Sequence, residues 1–152
     1  MPAGNTDRIE KKVLLRAPRS RVWRALTEAQ EFGSWFGVKL TGAFAPGARL
    51  RGPVTHKGYE HMTFDVTIQK MEPERTLSWR WGHPAGAETG GKEPTTLVTF
   101  ELEEVEGGTL LTVVESGFDR IPAARREEIY RGNEQGWTLQ MKSIQRHVGS
   151  AA

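Results

Sequence analysis

The sequence predicts an α+β domain in which an antiparallel sheet wraps one long C-terminal helix. Three observations point there. Met62, Phe64, Val66 and Ile68 alternate with Thr63, Asp65, Thr67 and Gln69, and Val98, Phe100 and Leu102 repeat that two-residue period of half-buried strands. Ala45-Pro46-Gly47, Glu72-Pro73-Glu74 and Glu106-Gly107-Gly108 are turn signals that fold successive strands back on one another. From Ala123 to about Val148 the period becomes 3.6, with Tyr130, Trp137, Met141, Ile144 and Val148 on a single apolar stripe. A helix with one such stripe needs a sheet to cover it.

The elements follow in order. Arg8 to Arg16, with Ile9, Val13, Leu14 and Leu15, reads as a strand that Ala17-Pro18 stops. Pro18 suits a first helical turn, and Val22, Ala25 and Leu26 give a short amphipathic helix. Thr27 is the expected cap of a second helix carrying Phe32, Trp35 and Phe36, kept short by Gly33 and Gly37. Six strands are then expected: Val38/Leu40, Ala48–Val54, the Met62 run, Leu77/Trp79/Trp81, the Val98 run, and Leu111/Val113/Glu115. A bulge at Lys70-Met71 would change which face Met71 takes relative to Ile68. Gly82–Pro94 reads as a loop, either a mobile flap or a long hairpin tip. Gly132 and Gly136 lie beside the helix stripe and suggest close approach there. Residues 1–7 and 149–152 read as tails around a single domain over 8–148.

Composition limits the chemistry. The 152 residues suit one domain able to bury roughly two-thirds of its surface. With no cysteine there is no disulfide, thiolate metal site or cysteine nucleophile. Twenty-one Lys and Arg against 19 Asp and Glu leave a net charge of +2, so nucleic acid is not an expected partner. No apolar run is long enough to span a membrane and the first residues are no signal peptide, so a cytoplasmic location is expected. His56, His61, His83 and His147 form no metal-ligand pattern, so no metal is expected. Gly86 to Lys92 matches a phosphate loop by letter only, since Glu93-Pro94 replaces the Ser/Thr and helix that such a loop needs. No serine sits in a nucleophile elbow and no cofactor fingerprint is present, so no cofactor is expected.

Eight stretches in one order carry a family resemblance. They are Ala17-Pro18 through Val22-Trp23 to Ala25-Leu26-Thr27, Trp35-Phe36, Pro46-Gly47, Pro73 through Leu77 to Trp79, Val98 to Leu102, Gly108-Thr109, Glu115 to Phe118, and Gly136-Trp137. Over residues 8–148 the chain resembles the START-like (SRPBCC) superfamily, in the branch named after the activator of the heat-shock-protein-90 ATPase. The resemblance implies the helix-grip fold, with a cavity between sheet and long helix that often holds an apolar or aromatic small molecule. It implies no single activity, because members bind lipids, cyclise polyketides or bind a chaperone. The family's chaperone activator has a further N-terminal domain, whereas seven residues precede the first strand here, so a chaperone partner is not expected.

Alternation places Leu50, Met62, Phe64, Ile68, Leu77, Trp79, Trp81, Val98, Phe100, Leu111, Val113 and Glu115 on the inward face, opposite Tyr130, Trp137 and Met141. The candidate cavity residues are Phe36, Met62, Phe64, Trp79, Trp81, Phe100, Val113, Glu115, Tyr130, Asn133, Trp137 and Met141. Aromatic walls suit a flat apolar ligand. Glu115, the polar member of the inward series, would be desolvated and its pKa raised. It would act as a pocket acid, base or ligand anchor, or accept from a Trp or Tyr or pair with an arginine. Three readings follow. The first is a carrier or sensor for a small apolar molecule. The second is a polyketide cyclase- or dehydratase-like enzyme, with Asn133 or Tyr130 as the second polar group. The third is a protein-interaction domain with a filled core and an exposed apolar patch. A homodimer is compatible with each.

Overall fold

The computed structural model describes residues 8–55, 57–58, 60, 62–82 and 95–149. The expected 82–94 loop beyond Gly82, the phosphate-loop look-alike, His56, His61, His83 and the 1–7 tail therefore lie outside the described residues. Six strands form one sheet: β1 (Arg8–Leu15), β2 (Arg49–Pro53), β3 (Thr63–Glu72), β4 (Thr76–Gly82), β5 (Thr95–Val105) and β6 (Gly108–Ser116). Helices α1 (Arg19–Thr27) and α2 (Ala29–Phe36) lie between β1 and β2, and α3 (Ala123–Gly149) ends the fold. Gly149 thus belongs to the helix and not to a tail. The spatial order is β1-β6-β5-β4-β3-β2, and every neighbouring pair is antiparallel. This is the α+β helix-grip arrangement that the periodicity and the resemblance predict, with α3 laid along β1 and against α1 and α2.

Inward alternation holds along the sheet. Leu77, Trp79, Val98, Phe100, Leu111 and Val113 are buried, and Trp137, Met141, Ile144 and Val148 of α3 close over them. The β3–β4 register shifts between Ile68 and Lys70. The extra residue there returns Met71 to the core side, where it packs against the buried cluster.

Three sequence expectations are corrected. The Val38/Leu40 strand is a single bridge, Val38 to Val54. Gly37 turns the chain out of α2 at φ 93°, and the next residues run across β2 so closely that a Cβ on Gly52 would lie 1.9 Å from the Lys39 carbonyl oxygen. Thr27 does not cap α2. Its hydroxyl donates back to the Trp23 carbonyl at 2.7 Å, and Glu28 holds the cap position without a side-chain bond. Gly132 and Gly136 have no close neighbour among the described residues, since a Cβ at either would meet nothing there within 4 Å.

The far end of α2 is tied down by α3. Gln140 Nε2 donates to the Phe36 carbonyl at 2.9 Å and the Ser143 hydroxyl donates to the Trp35 carbonyl. These bonds satisfy carbonyls that a helix end leaves without intrahelical partners. The Trp35 indole donates to the Ala25 carbonyl at 2.8 Å, fixing α2 on α1.

Candidate functional site

The deep space between sheet and helix is filled with rings. The Trp79 centroid lies 5.8 Å from Phe100 and 6.4 Å from Trp137. Phe100 and Trp137 are themselves 5.8 Å apart. Phe32 reaches in from α2 to stack on Phe36 at 4.7 Å and to meet Trp79 edge-on at 6.5 Å. These separations are those of favourable aromatic pairs. Trp79, Phe100, Val113, Trp137 and Met141 are therefore packed core, each no more than 5% exposed.

Open space lies instead at the end of the sheet, where β2, β3 and β4 splay from the first half of α3. A cleft of about 640 Å³ is lined by Phe36, Val54, Met62, Phe64, Trp81, Gly82, Ile129, Gly132 and Asn133, with Arg51, Thr63, Asp65 and Glu128 around it. Of the sequence-predicted cavity residues, Phe36, Met62, Phe64, Trp81 and Asn133 meet here. Met62 is not on the buried face that its alternation predicts. It precedes β3 and is 49% exposed. Spacing explains the helical wall: Glu128 and Gly132, and Ile129 and Asn133, are four apart and stand one above the other. Gly132 leaves that wall without a side chain.

Glu115 lies behind this cleft, fully buried. The Trp81 indole N–H donates to Oε2 at 2.8 Å and the Thr96 hydroxyl to the same oxygen at 2.6 Å. The Trp137 indole donates to Oε1 at 2.8 Å. Asn133 Nδ2 lies 3.0 and 3.1 Å from the two oxygens. One carboxylate on β6 thereby orients two cleft walls, Trp81 on β4 and Asn133 on α3. Of the roles expected for Glu115, accepting from indole N–H groups is the one its contacts display. Thr96 was missed by the sequence reading, though it shares the inward parity of Val98 and Phe100.

Tyr130 turns away from the cleft. Its hydroxyl donates to the Arg8 carbonyl at 2.9 Å, and its ring packs edge-on against Phe118 at 5.2 Å. Burial, with Glu134 nearby, raises its pKa. On the cleft rim, Arg49 grips Asp65 through two bonds of 2.9 and 2.7 Å, and Arg51 Nε lies 3.3 Å from the same carboxylate. The Arg49 hydrogen bonds lower the Asp65 pKa against the opposing effect of burial, and the charges of Arg49 and Arg51 add to the lowering. Among the described residues no three metal-ligating side chains gather. No described helix is long and apolar enough to cross a membrane.

The architecture and its end-on cleft define a START-like helix-grip domain. The sequence model of the family "Activator of Hsp90 ATPase homolog 1-like protein" matches residues 16–149, and the chain belongs to that family. No curated protein matches it in sequence. Among solved structures it resembles protein MLL2253 from Mesorhizobium loti, at 21% identity and a TM-score of 0.78, over 95% of this chain and 98% of that one. It also resembles the Aha1 dimer from Colwellia psychrerythraea, at 18% identity and a TM-score of 0.72, over 93% and 96% of the two chains. DynU16, a protein of the dynemicin biosynthetic locus, matches at 23% identity and a TM-score of 0.68 over 95% of this chain, which spans 49% of DynU16. At these identities the likeness is one of fold.

Proposed function

We propose that this protein is a binding module that takes a small, flat, apolar or aromatic molecule into the cleft between β2–β4 and α3. The observation that carries this reading is the cleft itself. Phe36, Phe64 and Trp81 offer aromatic faces on one side, and Gly132 leaves the helical side open. A recess that combines aromatic walls with a rim of polar side chains is a common form of small-molecule site. Catalysis is the weaker reading. It would need two polar groups directed at a substrate, whereas Asn133 directs its amide N–H at Glu115, and Glu115 is wholly covered.

The test uses Gly132. Replacing this exposed mid-helix glycine by alanine should stabilise α3 by up to about 1 kcal/mol. Gly132→Leu keeps that gain and fills the cleft. A two-ring probe such as 2-naphthol, followed by equilibrium dialysis, should bind the unaltered protein with a Kd of about 0.1–1 mM, the range of roughly −4 to −5.5 kcal/mol. Gly132→Leu should weaken that binding at least tenfold while raising the melting temperature. Equal binding by the leucine variant would place the probe elsewhere and end the proposal.

A further inference from the structure

The cleft's polar groups are arranged with a definite sense. Trp81, Trp137 and Asn133 present N–H groups to Glu115, and an indole N–H or an amide Nδ2 can only donate. The group they surround must accept. This fixes the Asn133 amide, because turning it over would set Oδ1 against the Glu115 oxygens. Asn133 is half-buried and lines the cleft. Among the described residues its Oδ1 takes part in no hydrogen bond, so that carbonyl oxygen is an unmatched acceptor on the wall. Glu128 stands on the same wall, exposed and with no ion pair among the described residues. Arg51, the cation among the described lining residues, already faces the Asp65 carboxylate at 3.3 Å. The ring faces of Phe36, Phe64 and Trp81 carry the negative side of their quadrupoles.

We infer that the cleft selects an apolar aromatic ligand bearing a hydrogen-bond donor, a hydroxyl or an amine, and disfavours a carboxylate on the same ring frame. This rests on the binding reading above and deepens it. The donor meets Asn133 Oδ1, and Glu115 acts as a positioning residue that keeps that oxygen turned outward. A carboxylate in the same place would oppose Oδ1 without a proton to share and would lie near Glu128.

The experiment compares 2-naphthol with 2-naphthoate, two probes of one ring frame, on the full chain by equilibrium dialysis at pH 7.5. One well-made neutral hydrogen bond corresponds to about a tenfold preference, so naphthol should bind about tenfold more tightly. Asn133→Leu should weaken naphthol binding and, by removing Oδ1, ease naphthoate binding, so that the tenfold preference is lost. The exposed substitution Glu128→Gln, which leaves the Glu115 network intact, should raise naphthoate affinity about twofold relative to naphthol. Naphthoate binding as tightly as naphthol, or more tightly through Arg51, overturns the inference. If both probes bind equally and Gly132→Leu excludes both, the binding reading stands and the donor preference alone falls. If neither binds, both fall together.

Discussion

Glu115 has no exposed surface, and side-chain donors from β4, β5 and α3 take the place of its water. A buried carboxylate is tolerable only when hydrogen-bonded in this way. Glutamine is nearly the same shape but sets an NH2 against indole and amide N–H groups, which can only donate. Glu115→Gln should therefore lower stability by about 1–3 kcal/mol, the cost of leaving a buried donor unmatched. Urea unfolding measures this, and a loss under about 0.5 kcal/mol would mean the network is dispensable. At this scale the sequence was partly legible. The alternation Leu111-Val113-Glu115 placed the carboxylate inward, and the Val98 and Phe100 parity contained Thr96. The partners were not legible, because Trp81, Asn133 and Trp137 reach Glu115 across 34, 18 and 22 residues of chain. Gly132 was noticed but assigned the opposite role, since a glycine reads the same whether it admits a neighbour or preserves a void.

One charged cluster joins all three helices. Glu31 of α2 receives Arg21 NH1 at 2.6 Å and Arg24 Nε at 3.0 Å from α1, and His147 Nε2 of α3 lies 3.1 Å away. Burial pushes the Glu31 pKa up, but hydrogen bonds from His147 and Arg21 and the charges of Arg21 and Arg24 outweigh it, and the net shift is downward. A lowered carboxyl pKa contributes stability above the ordinary glutamate value of about 4.3, and that contribution is lost as pH falls through the lower folded value. Glu31→Gln should thus cost about 1–2 kcal/mol at neutral pH through its charged hydrogen bonds. The difference from the unaltered protein should shrink as pH falls below about 4, through the lowered folded value. Denaturation midpoints measured across that range check the sign, and a gap that widens toward acid would refute it. Strands and helices were legible as elements because their periods are local. Val38/Leu40 misled because two alternating residues cannot show whether a partner strand runs beside them or, as here, crosses after one bridge.

At the scale of the whole molecule, a shell of strands and α3 encloses a ring-packed interior and, among the described residues, leaves a cleft at one end against the helix. The alternating pattern and the eight ordered stretches made the fold readable. They could not locate the cavity. Whether an aromatic wall is lined or filled depends on rings arriving from elsewhere, and Phe32 of α2 is the ring that meets Trp79, Phe64 and Phe36 together. The expected sites Trp79, Phe100 and Trp137 became core, while Phe36, Phe64, Trp81 and Asn133 stayed at the opening. The most direct measurement is a titration of isotopically labelled protein with 2-naphthol, followed by backbone amide shifts. Binding in the cleft predicts saturable shifts confined to residues 62–65, 81–82 and 128–133 and to Phe36, Arg51 and Val54. No saturable shift, or shifts gathered at the opposite recess around Arg16–Ser20 and Gly107–Gly108, would contradict it.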